Sequence, residues 1–172
     1  LGEALRARLP GLQVLVQGEG TRHSLMERFR QGSAQGAPGC VLVASVSFWE
    51  GVDVPGDALQ LVVIDKLPFP VPSDPLVQAH AQRLRRAGRS PFRDHALPEA
   101  AVALKQGAGR LIRHETDEGI LVVADTRLLD RGYGKRLMAA LPTMRRLGSA
   151  EEFDDALQAL ITRTSTMDRS CP

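Results

Sequence analysis

An α/β fold with a mostly parallel sheet and helices on both faces is what this sequence predicts. Short, mostly apolar runs such as Cys40–Val46 and Gly119–Ala124 alternate with segments of helical pattern. The runs are nearly continuous in apolar residues, as in strands covered on both faces, not alternating as in half-exposed ones. No internal repeat points to a solenoid or propeller.

The elements follow in order. Leu1–Leu9 reads as a helix stopped by Pro10-Gly11, and Gln13–Gln17 as a short strand. Thr21 is placed to cap a helix reaching about Gln31, with Leu25, Met26 and Phe29 as its apolar stripe. A Gly/Ala/Pro linker, Gly32–Gly39, leads into the strand Cys40–Val46, and Leu59–Ile64 is a second strand expected to be buried on both faces. Pro68, Pro70, Pro72 and Pro75 stiffen an extended segment. Asp74 caps a helix to about Ala87. Pro98 suits the first turn of a helix running towards Arg113, with Leu97 disfavoured from joining it. The strand Gly119–Ala124 follows, then short helices over about Gly134–Leu141 and Ser149–Ile161, and a polar tail, Arg163–Pro172, expected to fray. We expect one main domain over residues 1–148 and a helix and tail over 149–172 that packs back or docks a partner.

Composition narrows the class. Apolar residues make up 43% and charged residues 24% of the 172, ordinary for a globular chain able to bury a core. No apolar run approaches the ~20 residues of a membrane span, and no secretory leader is visible. The start at Leu1, within a helical pattern, suggests a piece of a longer protein. Two cysteines, Cys40 and Cys171, build neither a disulfide framework nor a zinc site nor an iron–sulfur cluster, and a reducing, cytoplasmic setting fits. His23, His80, His95 and His114 are scattered without metal-ligand spacing. The net charge is only +2, so any nucleic-acid reading rests on local clusters.

Two motifs carry chemistry. In QGAGRLIR, Gln106, Arg110 and Arg113 stand at i, i+4 and i+7, which on one continuous helix share a face. Gly107 and Gly109 each cost a helix roughly 1 kcal/mol against Ala, which makes sense where something must approach the backbone. Two guanidinium groups on a bare face suit a phosphate chain; a solvated amphipathic helix is the plainer reading. SFWEGVDVPG, Ser47–Gly56, follows directly on a strand, where ligands of open α/β sheets sit. It offers Glu50 and Asp53 as carboxylates and Gly51 as a turn. Trp49 as core filler and Asp53 as a turn former are the alternatives.

Taken together, SFWEGVDVPG, VVIDKLPFPVPSDP, QGAGRLIR and GILVVADTRLLDRGYG resemble, in order and spacing, the second motor domain of DinG/YoaA-type helicases of the XPD-like branch of superfamily 2, over about Leu12–Pro142. The resemblance implies a RecA-like three-layer αβα domain of an ATP-dependent 5′–3′ DNA helicase of repair or replication, cytoplasmic and nucleoid-associated in a bacterium. It implies motif VI at QGAGRLIR, with Arg110 and Arg113 as arginine fingers and Gln106 and Gly109 beside the nucleotide. Glu50, Gly51 and Asp53 fall on motif V, and Val16–Arg22 more loosely on motif IV. No GxxxxGK[ST] or acidic box occurs in the chain. Mg²⁺-ATP is therefore expected to be held mainly by a first RecA-like domain of the same chain, and the fragment alone is expected to be inactive. A 4Fe-4S cluster, found in many members of the branch, would belong to that other part. The expected DNA partner is single-stranded or forked.

Arg83, Arg85, Arg86, Arg89 and Arg93 cluster with no acid between them. A solvated helix face is the plain reading; a strand-binding surface with Phe69 or Phe92 as stacking rings is the functional one. A second basic group, Arg127, Arg131, Lys135 and Arg136, surrounds Tyr133, and Asp125 either serves a site or caps the helix after it. Three alternatives stay open. One is a DinG-like helicase-nuclease. Another is a non-catalytic module docking a replisome or polymerase subunit through the stripe Phe153, Ala156, Leu157, Leu160 and Ile161. The third, a flavodoxin-like small-molecule binder, lacks a phosphate loop after its first strand.

Overall fold

Four short strands pair as two parallel two-stranded sheets, the first inside one compact unit and the second, but for one residue, inside the other. The computed structural model describes residues 1–32, 37, 39–48, 59–111 and 117–167, the last five as backbone only. The first unit comprises 1–60, 110–120 and 147–172, and the second 61–109 and 121–146.

In the first unit, β1 (Gln13–Val16) and β2 (Cys40–Val43) run in register from Gln13 opposite Cys40 to Val16 opposite Val43. Adjacent Val14 and Leu15 point to opposite faces yet are 7% and 1% exposed, so both faces of β1 are covered. The helix α1 (Gly2–Arg8) and the helix α2 (Arg22–Gly32) pack against this pair. Leu25, Met26 and Phe29 recur at helical spacing and bury on Leu15 and Phe48, as the sequence predicts. Thr21 Oγ1 accepts the Ser24 N–H at 3.2 Å, the expected cap. The strand from Cys40 is shorter than expected. It ends at Val43, and Val46–Phe48 turn as a 3₁₀ segment. The helix α7 (Ala150–Met167) also differs, running past Ile161 into the region expected to fray. Ser149 Oγ accepts the Glu152 N–H and the Glu152 carboxylate accepts the Gly148 N–H at 2.6 Å, a reciprocal start of the capping-box kind.

In the second unit, β3 (Leu61–Ile64) lies beside β4 (Ile120–Val123), whose first residue the chain divides from the rest. The burial of β3 corrects the expectation of two covered faces: Ile64 is 4% exposed but Leu61 and Val63 are 42% and 59% exposed. A run of apolar residues reports strand formation, while coverage depends on what packs over each face. The helix α3 (Pro75–Arg86) begins with Asp74 accepting the Leu76 and Val77 N–H groups at 2.7 and 3.3 Å. It stops at Gly88, whose φ of 69° only glycine adopts freely; Arg89 N–H reaches back to the Leu84 carbonyl and Gly88 N–H to that of Arg85. The helix α4 (Leu97–Ala108) is preceded by a π-helical turn, Phe92–Ala96. This corrects the expectation for Leu97, which is helical (φ −70°, ψ −44°) although it precedes Pro98. The wider turn, closed by Leu97 N–H to the Phe92 carbonyl, gives the ring the room an ordinary α-turn denies it. Ala100, Leu104 and Ala108 form a wholly buried stripe on α4. Two short helices complete the unit, α5 (Arg127–Asp130), which the sequence reading did not separate, and α6 (Gly134–Met138). Gly134 sits against the Leu128 backbone carbonyl so closely that a Cβ there would collide with it.

Candidate functional site

The QGAGRLIR motif begins on α4 and leaves it. Gln106 is exposed on the last turn, Gly107 and Ala108 are buried, and Gly109 closes the helix with its N–H on the Lys105 carbonyl at 2.9 Å. Arg110 lies beyond the helix end, in a turn, half-buried and with its Nε shielded from solvent, and Leu111 is 1% exposed. The single helical face expected for Gln106, Arg110 and Arg113 is therefore corrected: the helical repeat stops at Ala108. Two glycines in three residues weaken the last turn, and burial of Leu111 draws the chain inward. The chain passes from the second unit to the first between Gly109 and Arg110. Arg113, like Glu50, Gly51, Asp53 and Trp49, lies outside the described residues.

The residues leading into SFWEGVDVPG are described, and they are held by the region matched loosely to motif IV. Gln17 Oε1 accepts from both the backbone N–H and the hydroxyl of Ser45, at 2.7 and 2.9 Å, and the Ser45 and Ser47 hydroxyls are 2.9 Å apart. Arg22 donates to the Phe48 carbonyl at 3.0 Å and lies over the Phe48 ring, 5.2 Å from its centroid. Sequence reasoning did not find the contacts of Arg22 and Gln17, which join residues 26 or 28 positions apart.

In the second unit the ends of β3 and β4 are tied together by Asp125. Its carboxylate accepts the Leu67 N–H at 2.8 Å, the Arg127 N–H at 3.0 Å and two guanidinium N–H groups of Arg127 at 2.6 to 3.1 Å. The Arg127 guanidinium, with the two backbone donors, holds this carboxyl well below the usual carboxylate range. Asp125 thus caps α5, one of the two roles its position allowed, and also braces the turn after β3.

Arg127 in turn stacks over Phe69, 5.6 Å from the ring centroid. Phe69 meets Phe92 and Tyr133 at 5.7 Å each, and Phe92 meets Tyr133 at 5.2 Å, a closed triangle of rings. Phe69 is half-buried in it, whereas Phe92 is 41% exposed. His80 on α3 and His95 in the π turn stack at 4.3 Å, a pairing their sequence separation hid. The basic cluster is exposed at Arg83, Arg85, Arg86 and Arg93, while Arg89 pairs with Asp94 at 3.2 Å. Three of these arginines fall in the last turn of α3, where cations also favour the helix dipole.

Among the described residues no group of three or more His, Cys, Asp or Glu side chains could hold a metal ion, and no helix is long and apolar enough to cross a membrane.

The comparisons with known proteins agree with the motifs. The helicase C-terminal domain family matches residues 2–144. The chain is similar to the ATP-dependent DNA helicase YoaA of Escherichia coli, 49% identical over 142 residues, covering 83% of this chain and 21% of the relative. It is similar to the ATP-dependent helicase DinG of Mycobacterium tuberculosis, 40% identical over 158 residues, 92% of this chain and 23% of the relative. It is also similar to the 3'-5' exonuclease DinG of Bacillus subtilis, 38% identical over 153 residues, 88% of this chain and 16% of the relative. The chain spans about a fifth of the length of the curated relatives it matches. With four motifs in order, a parallel α/β architecture and a family match over most of its residues, the chain belongs to the helicase C-terminal domain family, as a RecA-like C-terminal helicase domain of the DinG/YoaA type.

Proposed function

We propose that this chain is the C-terminal motor domain of a bacterial, cytoplasmic ATP-dependent 5′–3′ DNA helicase acting in repair or replication. The observation that carries the reading is the position of Arg110: a half-buried guanidinium in a tight turn directly after the glycine that ends α4, in a motif whose spacing matches the family's arginine fingers. A partly buried, always-charged donor suits a phosphoryl oxygen whose negative charge grows in the transition state. Arg110, with Arg113, would neutralise that charge once the partner motor domain closes, and Gln106 and Gly109 would line the same nucleotide edge. Glu50, Gly51 and Asp53 would sense the nucleotide and link it to the DNA side.

The fit to Mg²⁺-ATP is partial. The described residues offer donors for phosphate oxygens but no carboxylate cluster for the magnesium ion. The first RecA-like domain is thus assigned the phosphate cradle and metal carboxylates, and any 4Fe-4S cluster is assigned to that part as well. When bound there, magnesium would supply neutralisation of phosphate negative charge. Arg85, Arg86, Arg89 and Arg93, with Phe69 behind Phe92, would line part of the path of single-stranded or forked DNA.

The test uses the full-length protein. Arg110→Ala should lower strand-stimulated kcat for ATP by about 10³-fold or more while nucleotide binding persists. A kcat within tenfold of wild type would remove Arg110 from the finger role.

Two further readings have an observation behind them. The relative named a 3'-5' exonuclease keeps a helicase-nuclease arrangement in view, with the nuclease outside this domain. The helix α7 shows half-buried Phe153, Ala156, Leu157 and Leu160 and no fully buried side chain among its described residues, so residues 149–172 suit either packing or docking of a replisome or polymerase subunit.

A further inference from the structure

Two side chains from the loop after β1 grip the turn by which the chain leaves the first sheet. The β1–β2 ladder ends where Gln17 N–H donates to the Val43 carbonyl at 2.9 Å. Ser45 N–H lies past that last rung, and the Gln17 side chain extends the ladder to it. Its Oε1 accepts the Ser45 N–H at 2.7 Å and the Ser45 hydroxyl at 2.9 Å. The turn then closes on itself, with Phe48 N–H donating to the Ser45 carbonyl at 2.9 Å. The Phe48 ring, 5% exposed, is sunk among Leu15, Leu25 and Phe29. The last carbonyl of the turn belongs to the planar peptide unit that joins Phe48 to Trp49. Arg22 donates to that oxygen at 3.0 Å, with its guanidinium over the Phe48 ring. Holding the oxygen of a planar unit whose preceding residue is already anchored fixes the direction in which that unit points.

The gripping loop is anchored in turn. Glu19 N–H folds back to the Val16 carbonyl at 3.1 Å, and the Glu19 carboxylate accepts from Arg6 on α1. Arg22 is the first residue of α2, whose apolar stripe is buried in the same cluster as Phe48. Stability does not account for this grip. Gln17 and Ser45 are exposed, and exposed hydrogen bonds replace bonds to water at little net gain. What such bonds fix is placement. Charge does not account for it either, since Gln17 is neutral and Arg22 spends its planar fork on a backbone carbonyl and a ring, which a lysine point charge does not reproduce.

We propose that Gln17 and Arg22 are positioning residues for nucleotide turnover. Together they set the angle at which the chain passes from Phe48 into Trp49–Gly56, and so act through that turn on Glu50 and Asp53, two and five residues on. The proposal rests on the reading that Glu50 and Asp53 sense the nucleotide, and goes beyond it by giving the loop after β1 a share in that step.

The experiment uses the full-length protein. It measures strand-stimulated ATP hydrolysis, the stoichiometry of bound nucleotide, the salt slope of strand binding and the melting temperature. Gln17→Leu removes the acceptor, and Arg22→Lys keeps the charge without the fork. Each should lower kcat by about tenfold or more and leave the other three readings at wild type. Gln17→Glu, isosteric and still an acceptor, should recover most of the loss. If Gln17→Leu and Arg22→Lys turn over at the wild-type rate while Glu50→Gln and Asp53→Asn are slow, this proposal alone is overturned. If kcat falls only in step with bound nucleotide and melting temperature, or if Gln17→Glu is as slow as Gln17→Leu, the grip merely holds the fold together, which also overturns it. If Arg22→Ala lowers the salt slope by about 0.7 and Arg22→Lys restores it, Arg22 is a phosphate contact and the proposal fails. If Glu50→Gln and Asp53→Asn hydrolyse ATP at the wild-type rate, the sensing reading falls and this proposal falls with it.

Discussion

Asp125 is the side chain through which the most local structure passes. Its side chain is 8% exposed, and its partners come from a loop and a helix: Leu67 after β3 and Arg127 at the start of α5. Replacing it by Ala leaves the Leu67 N–H without its acceptor, and Leu67 is 4% exposed, so we expect a loss of about 1–3 kcal/mol in urea unfolding. The pH dependence has a definite sign. The folded-state carboxyl titrates below its ordinary 3.8, so the unfolded chain binds the proton more readily. The stabilisation is complete above the unfolded value and is lost as pH falls from there towards the folded one. Unfolding midpoints of wild type and Asp125→Asn should differ by a constant amount above about pH 5 and converge below about pH 4. The capping half of this role was legible, because an Asp two residues ahead of a helix at a strand's end is a familiar arrangement. The bond to Leu67 was not legible, since nothing local relates positions 58 apart. The same holds for Gln17 with Ser45 and for His80 with His95. Long-range polar contacts follow from the fold and leave no periodic trace.

At the scale of elements, local chemistry predicted well where one residue decides the outcome. Asp74 starts α3, and Ser149 precedes α7. The end of α3 is set by Gly88, and Gly88→Ala must hold a Cβ at φ 69°, at a cost of about 1–2 kcal/mol measurable as a lower unfolding midpoint. The same change should loosen Arg89, whose N–H closes the turn and whose side chain pairs with Asp94. Prediction failed where propensities compete. Proline at position 98 argued for a helix start there, yet the helical path begins at Pro91 and widens through a π turn to admit the ring. The tail from Arg163 looked too polar to be ordered, but helix propagation from a well-capped start carries α7 to Met167. The last turn of QGAGRLIR went the other way, since two glycines and a buried leucine ended a helix that the spacing seemed to continue.

For the whole molecule, the α/β class and the four strands were readable from the sequence, whereas the division into two units was not. Each strand is only four residues long, and no pattern in such short runs specifies which neighbour it pairs with. On the reading proposed above, in which Arg110 and Arg113 act on a nucleotide that another domain holds, the purified domain should turn over no measurable ATP, with or without single-stranded DNA; steady hydrolysis by the domain alone would contradict that reading. The chain changes unit between Gln60 and Leu61, Gly109 and Arg110, Ile120 and Leu121, and Arg146 and Leu147. No single cut can therefore release either half intact. During synthesis on the ribosome, the half ending at Arg146 has all its residues before the half that needs α7. The residues up to Gln60, although made before those of the second unit, belong to a unit that is whole only once α7 has followed Arg146.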